Sequence, residues 1–195
     1  MKITTVLGSP RKKGNTNQVL QWVEEAFLER GHEVDRINIT DHKVNGCKGC
    51  LTCKNFTDQP GCTQKDDAVE IMHRLMGSDR VIYASPIYFW GPTAQMKSFI
   101  DRHFCLVTGY GTPEWQSLLR GKNLGLVVTC EDGIENNVEL TEELFKRFID
   151  YLQCEHSGTL AIPYATEPEA LTQEVRQQAR AFADQFAGTV QKLKE

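Results

Sequence analysis

Residues 2–27 read KITTVLGSPRKKGNTNQVLQWVEEAF, and the hydrophobic period changes partway along them. Residues 2–8 form a short apolar run, the pattern of a strand buried on both faces. A turn rich in Gly, Pro and Asn follows, and then Val19, Leu20, Val23 and Phe27 recur at helical spacing. Gly31 supplies a stop for that helix. A strand that feeds a helix through such a turn is the opening of a parallel βαβ arrangement.

The rest of the chain repeats the alternation. Residues 33–39 alternate like a strand, and Asp66-Asp67 can cap and charge a helix carrying Ile71, Met72, Leu75 and Met76 inward. Residues 80–85 read as the next strand and 92–102 as the next helix. Asn123–Thr129 (NLGLVVT) is another buried strand, followed by a helical stripe of Leu140, Leu144, Phe145, Phe148, Ile149 and Leu152. A last strand around 158–162 precedes a long helix with Leu171, Val175, Phe182, Phe186, Val190 and Leu193 on one side. Five strands alternating with helices predict an α/β fold, a three-layer sandwich with a parallel sheet covered on both faces. Residues 41–65, 104–121 and 130–138 are irregular and longer than most connections, which marks them as candidates for function.

At 195 residues the chain suits one α/β domain, expected to span 1–195 with the 41–65 loop inserted. Hydrophobic residues make up 40% and charged residues 25%, an ordinary globular composition that excludes collagen and disordered tails. A formal charge of −4 disfavours nucleic acid and anionic membrane as partners. The first residues offer no apolar core for a signal peptide, and no segment approaches the ~20 apolar residues of a membrane span. A cytoplasmic location is expected. Seven cysteines, an odd number with four crowded between 47 and 62, read as reduced thiols, some of them metal-binding or redox-active.

In an open parallel sheet, ligands bind beyond the carboxyl ends of the strands. The loop there, Gly8-Ser9-Pro10-Arg11-Lys12-Lys13-Gly14-Asn15-Thr16-Asn17, runs straight into a helix whose free amides and dipole favour a phosphate. Ser9, Thr16 and Asn17 can add neutral hydrogen bonds and Arg11 a charge-assisted one. A Walker loop needs Gly-Lys-Ser/Thr, where this chain has Gly14-Asn15-Thr16, and the G-x-G-x-x-G dinucleotide fingerprint is absent. The same residues also suit an ordinary Asn15 helix cap and a solvated basic turn.

A second loop separates these readings. Ser85-Pro86-Ile87-Tyr88-Phe89-Trp90-Gly91-Pro92-Thr93 ends the third strand and opens the following helix. Together with GSPRKKGNT it resembles the NADPH-dependent FMN reductase and iron–sulfur flavoprotein branch of the flavodoxin-like superfamily. That resemblance implies a flavodoxin-like sheet of order 2-1-3-4-5 with FMN at the switch point. It implies that Ser9, Arg11, Asn15, Thr16 and Asn17 hold the FMN phosphate. Pro86, Ile87, Tyr88, Phe89, Trp90 and Gly91 would pass along the isoalloxazine, and Thr129, Cys130, Glu131, Asp132 and Gly133 would close the site from the other side. The residue types suit a flat apolar ring with a polar rim: three aromatics give surface and Gly91 permits close backbone approach. Three adjacent aromatics cannot all face one core from a strand. No triad or protein nucleophile is expected, because the cofactor carries the chemistry. His32, His42, His73, His103 and His156 are scattered and read as surface or loop residues.

Cys47, Cys50 and Cys53, spaced C-x2-C-x2-C and followed by Cys62, admit several readings. Reduced, redox-sensitive thiols come first and a [4Fe–4S] cluster on these four second, the latter also implied by the resemblance. Zinc comes third, since structural zinc favours two separated pairs. A thioredoxin-like pair would need a helix N-terminus. Cys105, Cys130 and Cys154 read as small buried residues, with Cys130 near the flavin.

As an enzyme, the chain is expected to pass hydride or electrons from NADH or NADPH through FMN to a flavin, quinone or other small-molecule or protein acceptor. The alternatives are an iron–sulfur flavoprotein electron carrier and a non-enzymatic FMN-binding sensor. Residues 104–119, with Trp115 and Leu118-Leu119, look too apolar to stay solvated, so a homodimer or homotetramer is expected to cover them.

Overall fold

A computed structural model describes residues 1–188. Strands β1 (Lys2–Leu7), β2 (Glu33–Asn38), β3 (Arg80–Tyr88), β4 (Asn123–Thr129) and β5 (Glu155–Ile162) form a parallel sheet of order 2-1-3-4-5. The connecting helices are α1 (Asn15–Glu29), α2 (Ala68–Met76), α3 (Ala94–Arg102), α4 (Glu139–Tyr151) and α5 (Gln173–Gly188). Val190 and Leu193, expected on the last helix, lie outside the described residues.

Side-chain alternation along the strands builds one core on each face. Val81 and Tyr83 of β3 join Ile71, Met72, Leu75, Phe99, Phe145 and Ile149 on the side of α2, α3 and α4. Ile82 and Ala84 join Val19, Leu20, Val23, Phe27, Phe182 and Phe186 on the side of α1 and α5. Every residue of β4 is buried, which explains its unbroken apolar reading. Gly125 in that strand makes room for the second core, because a Cβ there would stand 2.7 Å from the Phe186 ring.

Several local expectations change. Leu140 is 65% exposed, and α4 instead turns Thr141, Phe145 and Ile149 inward. β5 begins at Glu155, ahead of the expected start. Asp67 makes no side-chain cap on α2, whereas Asp66 accepts from the Ala68 amide at its start, at 3.3 Å, and also binds Arg102. His103 is a core residue: a carbonyl can only accept, so its Nδ1–H donates to Phe99 O at 2.9 Å and its Nε2 accepts from the Tyr83 hydroxyl at 2.8 Å. Burial pushes its pKa down to about 4 and keeps the ring neutral.

Residues 104–119 cover their own apolar groups. Leu106, Val107 and Leu119 are buried, Val107–Thr108 pairs with Gln116–Ser117, and Trp115 packs against Tyr151. Tyr110, at the tip of the loop, stays about half exposed.

Candidate functional site

The loops after β1, β3, β4 and β5 enclose one groove of about 500 Å3, within the ~300–1,000 Å3 range of small-molecule sites. Its basic end is formed by Ser9, Arg11, Lys13, Gly14, Asn15 and Thr16, and its other walls by Pro86, Ile87, Tyr88, Thr129, Cys130 and Glu131. The loop after β1 is held close to α3. Gly8 N–H donates to Ala84 O at 2.8 Å, Thr93 Oγ1 donates to Gly8 O at 2.6 Å, and a Cβ on Gly8 would stand 2.6 Å from Met96 Cβ. Helix α1 starts without a side-chain cap, and Gln18 N–H, bonded to Gly14 O, begins its ladder. Gly14 N–H donates to Arg11 O at 3.0 Å, and Gly14, Asn15 and Thr16 at the helix start line the groove beside Arg11 and Lys13.

Three polar side chains of this loop hold protein rather than facing an anion. Asn15 Nδ2 donates to Ala165 O (2.9 Å) and Glu167 O (2.8 Å), tying the loop after β5 onto the start of α1. Thr16 Oγ1 pairs with Thr129 Oγ1 at 2.6 Å. Asn17 lies outside the groove lining, and its Oδ1 accepts from Arg36, which also pairs with buried Glu24. Ser9 Oγ accepts from Arg11 N–H at 3.2 Å, shaping the turn that carries the two basic residues. Ser9, Arg11, Lys13, Gly14, Asn15 and Thr16 together line this end of the groove, the end whose charge suits an anion.

Beyond Pro86 the structure departs from a simple loop. β3 runs on to Tyr88, which pairs with Gly91 across the two-residue turn Phe89-Trp90. Both turn residues have positive φ, 47° and 59°. Tight hairpins require this, yet Asn and Gly adopt it readily and bulky side chains do not, at about 1–3 kcal/mol each. Thr141 Oγ1 donates to Trp90 O at 2.8 Å and secures the turn to α4. The result is an aromatic edge: Phe89 is 95% exposed, with Tyr88 and Trp90 about half exposed beside it. Gly91 has no positive φ, and a Cβ there would meet only Tyr88 O at 3.9 Å, so the fold itself does not require glycine at this position.

A second chamber of about 360 Å3 adjoins the groove. It shares Ile87, Tyr88, Cys130 and Glu131 with the groove and adds Phe89, Trp90, Asp132 and Asn137. Gly91, Asn17 and Gly133 line neither space. Residues 165–168, which line the groove, were missed at the sequence level. Asn15 engages them through their carbonyls, a contact that leaves no side-chain signature.

Cys47, Cys50, Cys53 and Cys62 line a separate small cavity together with Arg102 and Cys105. Arg102 is buried and forms a bidentate pair with buried Asp66, at 2.6 and 3.0 Å, and also donates to Asn45 O at 2.9 Å. Asp66 accepts in turn from the Asn45 and Ala68 amides. Both ends of the cysteine loop are thus fastened to the end of α3. Burial alone would raise the Asp66 pKa, but Arg102 and the Asn45 amide outweigh it and hold the carboxyl at about 2. Hydrogen bonds, first from Thr52 and then from Thr63, lower the exposed Cys50 thiol to about 7, while burial pushes Cys105 up to about 12. All seven cysteines are free thiols. Among the described residues no three Cys, His, Asp or Glu groups converge on one ion. The cysteines open no α-helix either, since Cys53 lies in the 3-10 turn Thr52–Asn55. Among the described residues no helix is long and apolar enough to cross a membrane.

Comparison with known proteins bears on this geometry. The family model described as NADPH-dependent FMN reductase matches residues 1–154. An iron-sulfur flavoprotein of Archaeoglobus fulgidus is 40% identical over 128 residues, 66% of this chain and 54% of that protein. One from Methanosarcina thermophila is 38% identical over 106 residues, 54% of each. The chain spans about half the length of the curated relatives it matches. Among solved structures, an FMN-dependent NADH-azoreductase from Bacillus anthracis in complex with FMN aligns with TM-score 0.69 at 13% identity, covering 96% of this chain and 100% of that one. A Streptococcus pneumoniae flavodoxin aligns with TM-score 0.62 at 16% identity, over 97% and 100%. At these identities the likeness is one of fold, and the fold is flavodoxin-like.

Proposed function

The chain belongs to the NADPH-dependent FMN reductase family, and from that premise we propose that it binds FMN in the groove and works as an NAD(P)H-dependent oxidoreductase. The observation that carries this reading is one continuous groove with two chemically different ends. One end offers helix-start amides, Ser9, Arg11 and Lys13; the other offers Pro86, Ile87 and Tyr88 facing Thr129, Cys130 and Glu131. A phosphomonoester on a flat ring system matches that polarity. Ser9 and the two basic residues would hold the phosphate. Asn15, Thr16 and Thr129 would keep the loops closed around it through the bonds they already make. When bound, FMN would supply hydride acceptance from a reduced nicotinamide and delivery of electrons singly or in pairs to a flavin, quinone or other acceptor. The protein's part is to orient the ring, with Tyr88 and the backbone of 86–88 on one side and the 129–131 backbone on the other. The test is anaerobic addition of NADPH, then NADH, to the purified protein. Bleaching of a flavin band supports the reading, and a stable oxidised spectrum with both donors overturns it.

One observation favours a second reading. Five cysteines, Cys105 among them, and a buried cation border a single cavity, and relatives bear the name iron-sulfur flavoprotein. A cubane spreads its thiolates wider than one ion does, so Cys47, Cys50, Cys53 and Cys62 would suit it without meeting at a point. The chain would then serve as an electron carrier. Iron and acid-labile sulfide in anaerobically purified protein would support this, and their absence would leave the cysteines as thiols.

A further inference from the structure

The second chamber has a chemistry of its own. Tyr88, Phe89 and Trp90 line it together with Glu131 and Asp132. No Lys or Arg belongs to its lining, whereas Arg11 and Lys13 sit in the adjoining groove. The aromatic part of the lining is built against local preference, on two bulky residues at positive φ anchored through Trp90 O. Aromatic faces attract cations, and carboxylates in the same lining add to that attraction and repel anions.

We propose that this chamber is the acceptor site and that it takes flat aromatic cations in preference to anions of the same shape. The inference rests on the oxidoreductase reading and names the class of substrate. Its balanced form is dihydronicotinamide plus aromatic cation giving nicotinamide cation plus neutral leuco compound. The C4–H bond of the dihydronicotinamide breaks, and its two electrons and hydrogen end on a ring nitrogen of the acceptor, with charge conserved.

The probes are methylene blue, a planar phenothiazinium cation, and indigo-5,5′-disulfonate, a planar dianion. Binding of each to the purified protein is measured by equilibrium dialysis at low salt, with flavin content determined on the same samples. The cation should bind about tenfold or more tightly than the dianion, and E131Q/D132N should reduce that preference about tenfold. W90L should weaken methylene blue binding severalfold. Equal binding of the two dyes, or a preference unchanged in E131Q/D132N, would overturn the proposal. Parallel loss of flavin and dye in W90L would also overturn it, because the chamber would then house the cofactor itself. Protein that holds no flavin would instead defeat the oxidoreductase reading, and the dye preference would still be read independently.

Discussion

Replacing Asp66 with Asn leaves Arg102 buried without its counter-charge. In the native chain the Asp66 carboxylate accepts two bonds from Arg102, at 2.6 and 3.0 Å, and further bonds from the Asn45 and Ala68 amides. Neither side chain reaches solvent appreciably, at 0% and 2% exposure. Breaking a buried pair by removing one partner costs about 3–5 kcal/mol, a large part of the ~5–15 kcal/mol that holds a domain folded. D66N should therefore lose about 3–5 kcal/mol of unfolding free energy in urea melts at pH 7, with iodoacetamide labelling of Cys47 and Cys62 accelerated as the loop ends come free. The gap should narrow in acid. The folded carboxyl titrates at about 2 against an ordinary 3.8, so its contribution is complete above pH ~4 and is lost as the pH falls towards 2. That linkage corresponds to about 2.5 kcal/mol. The double variant D66L/R102M should recover most of the loss, since an apolar pair of similar volume leaves no stranded charge. A D66N unfolding free energy within about 1 kcal/mol of the native chain's, or a double variant no more stable than the single one, would refute the reasoning.

Other predictions concern the two loops of the groove and the cysteine loop. F89N/W90G should stabilise the protein by about 1–3 kcal/mol, because Asn-Gly adopts two positive φ values readily; denaturant melts check the sign. R11Q/K13Q should weaken FMN binding by roughly 10- to 100-fold while leaving riboflavin affinity within about twofold, since only the phosphate contacts are lost. In iron-free protein, Cys50 should be the first cysteine alkylated as the pH rises through about 7, and Cys105 should stay unlabelled until the protein unfolds; peptide mass spectrometry resolves the order.

The architecture was legible wherever burial leaves a mark on residue type. β4 is apolar throughout because both its faces are covered, and α1 shows its stripe because Val19, Leu20, Val23 and Phe27 meet the sheet. The groove was largely legible for a similar reason: the switch-point loops carry basic and aromatic residues that no core needs. Contacts made through the backbone or across long sequence separations were not. Asn15 reads as a cap or phosphate ligand until its amide is seen bonding carbonyls 150 and 152 residues away. Nothing in the sequence shows that Asn17 Oδ1 also accepts from Arg36, which pairs with Glu24. The Phe89-Trp90 turn contradicts its own local preference, so no turn rule points to it. Leu140 fits the α4 stripe by spacing but falls on the solvent side.

The central claim is that the start of α1, with Ser9, Arg11 and Lys13, receives the phosphate of a flavin whose ring lies along residues 86–88. Calorimetric titration of flavin-stripped protein with FMN, and separately with riboflavin, addresses both halves together. Saturable one-to-one FMN binding, with riboflavin weaker by about tenfold or more for want of the phosphate, is the predicted result. No heat with FMN, or equal affinity for the two flavins, would contradict it.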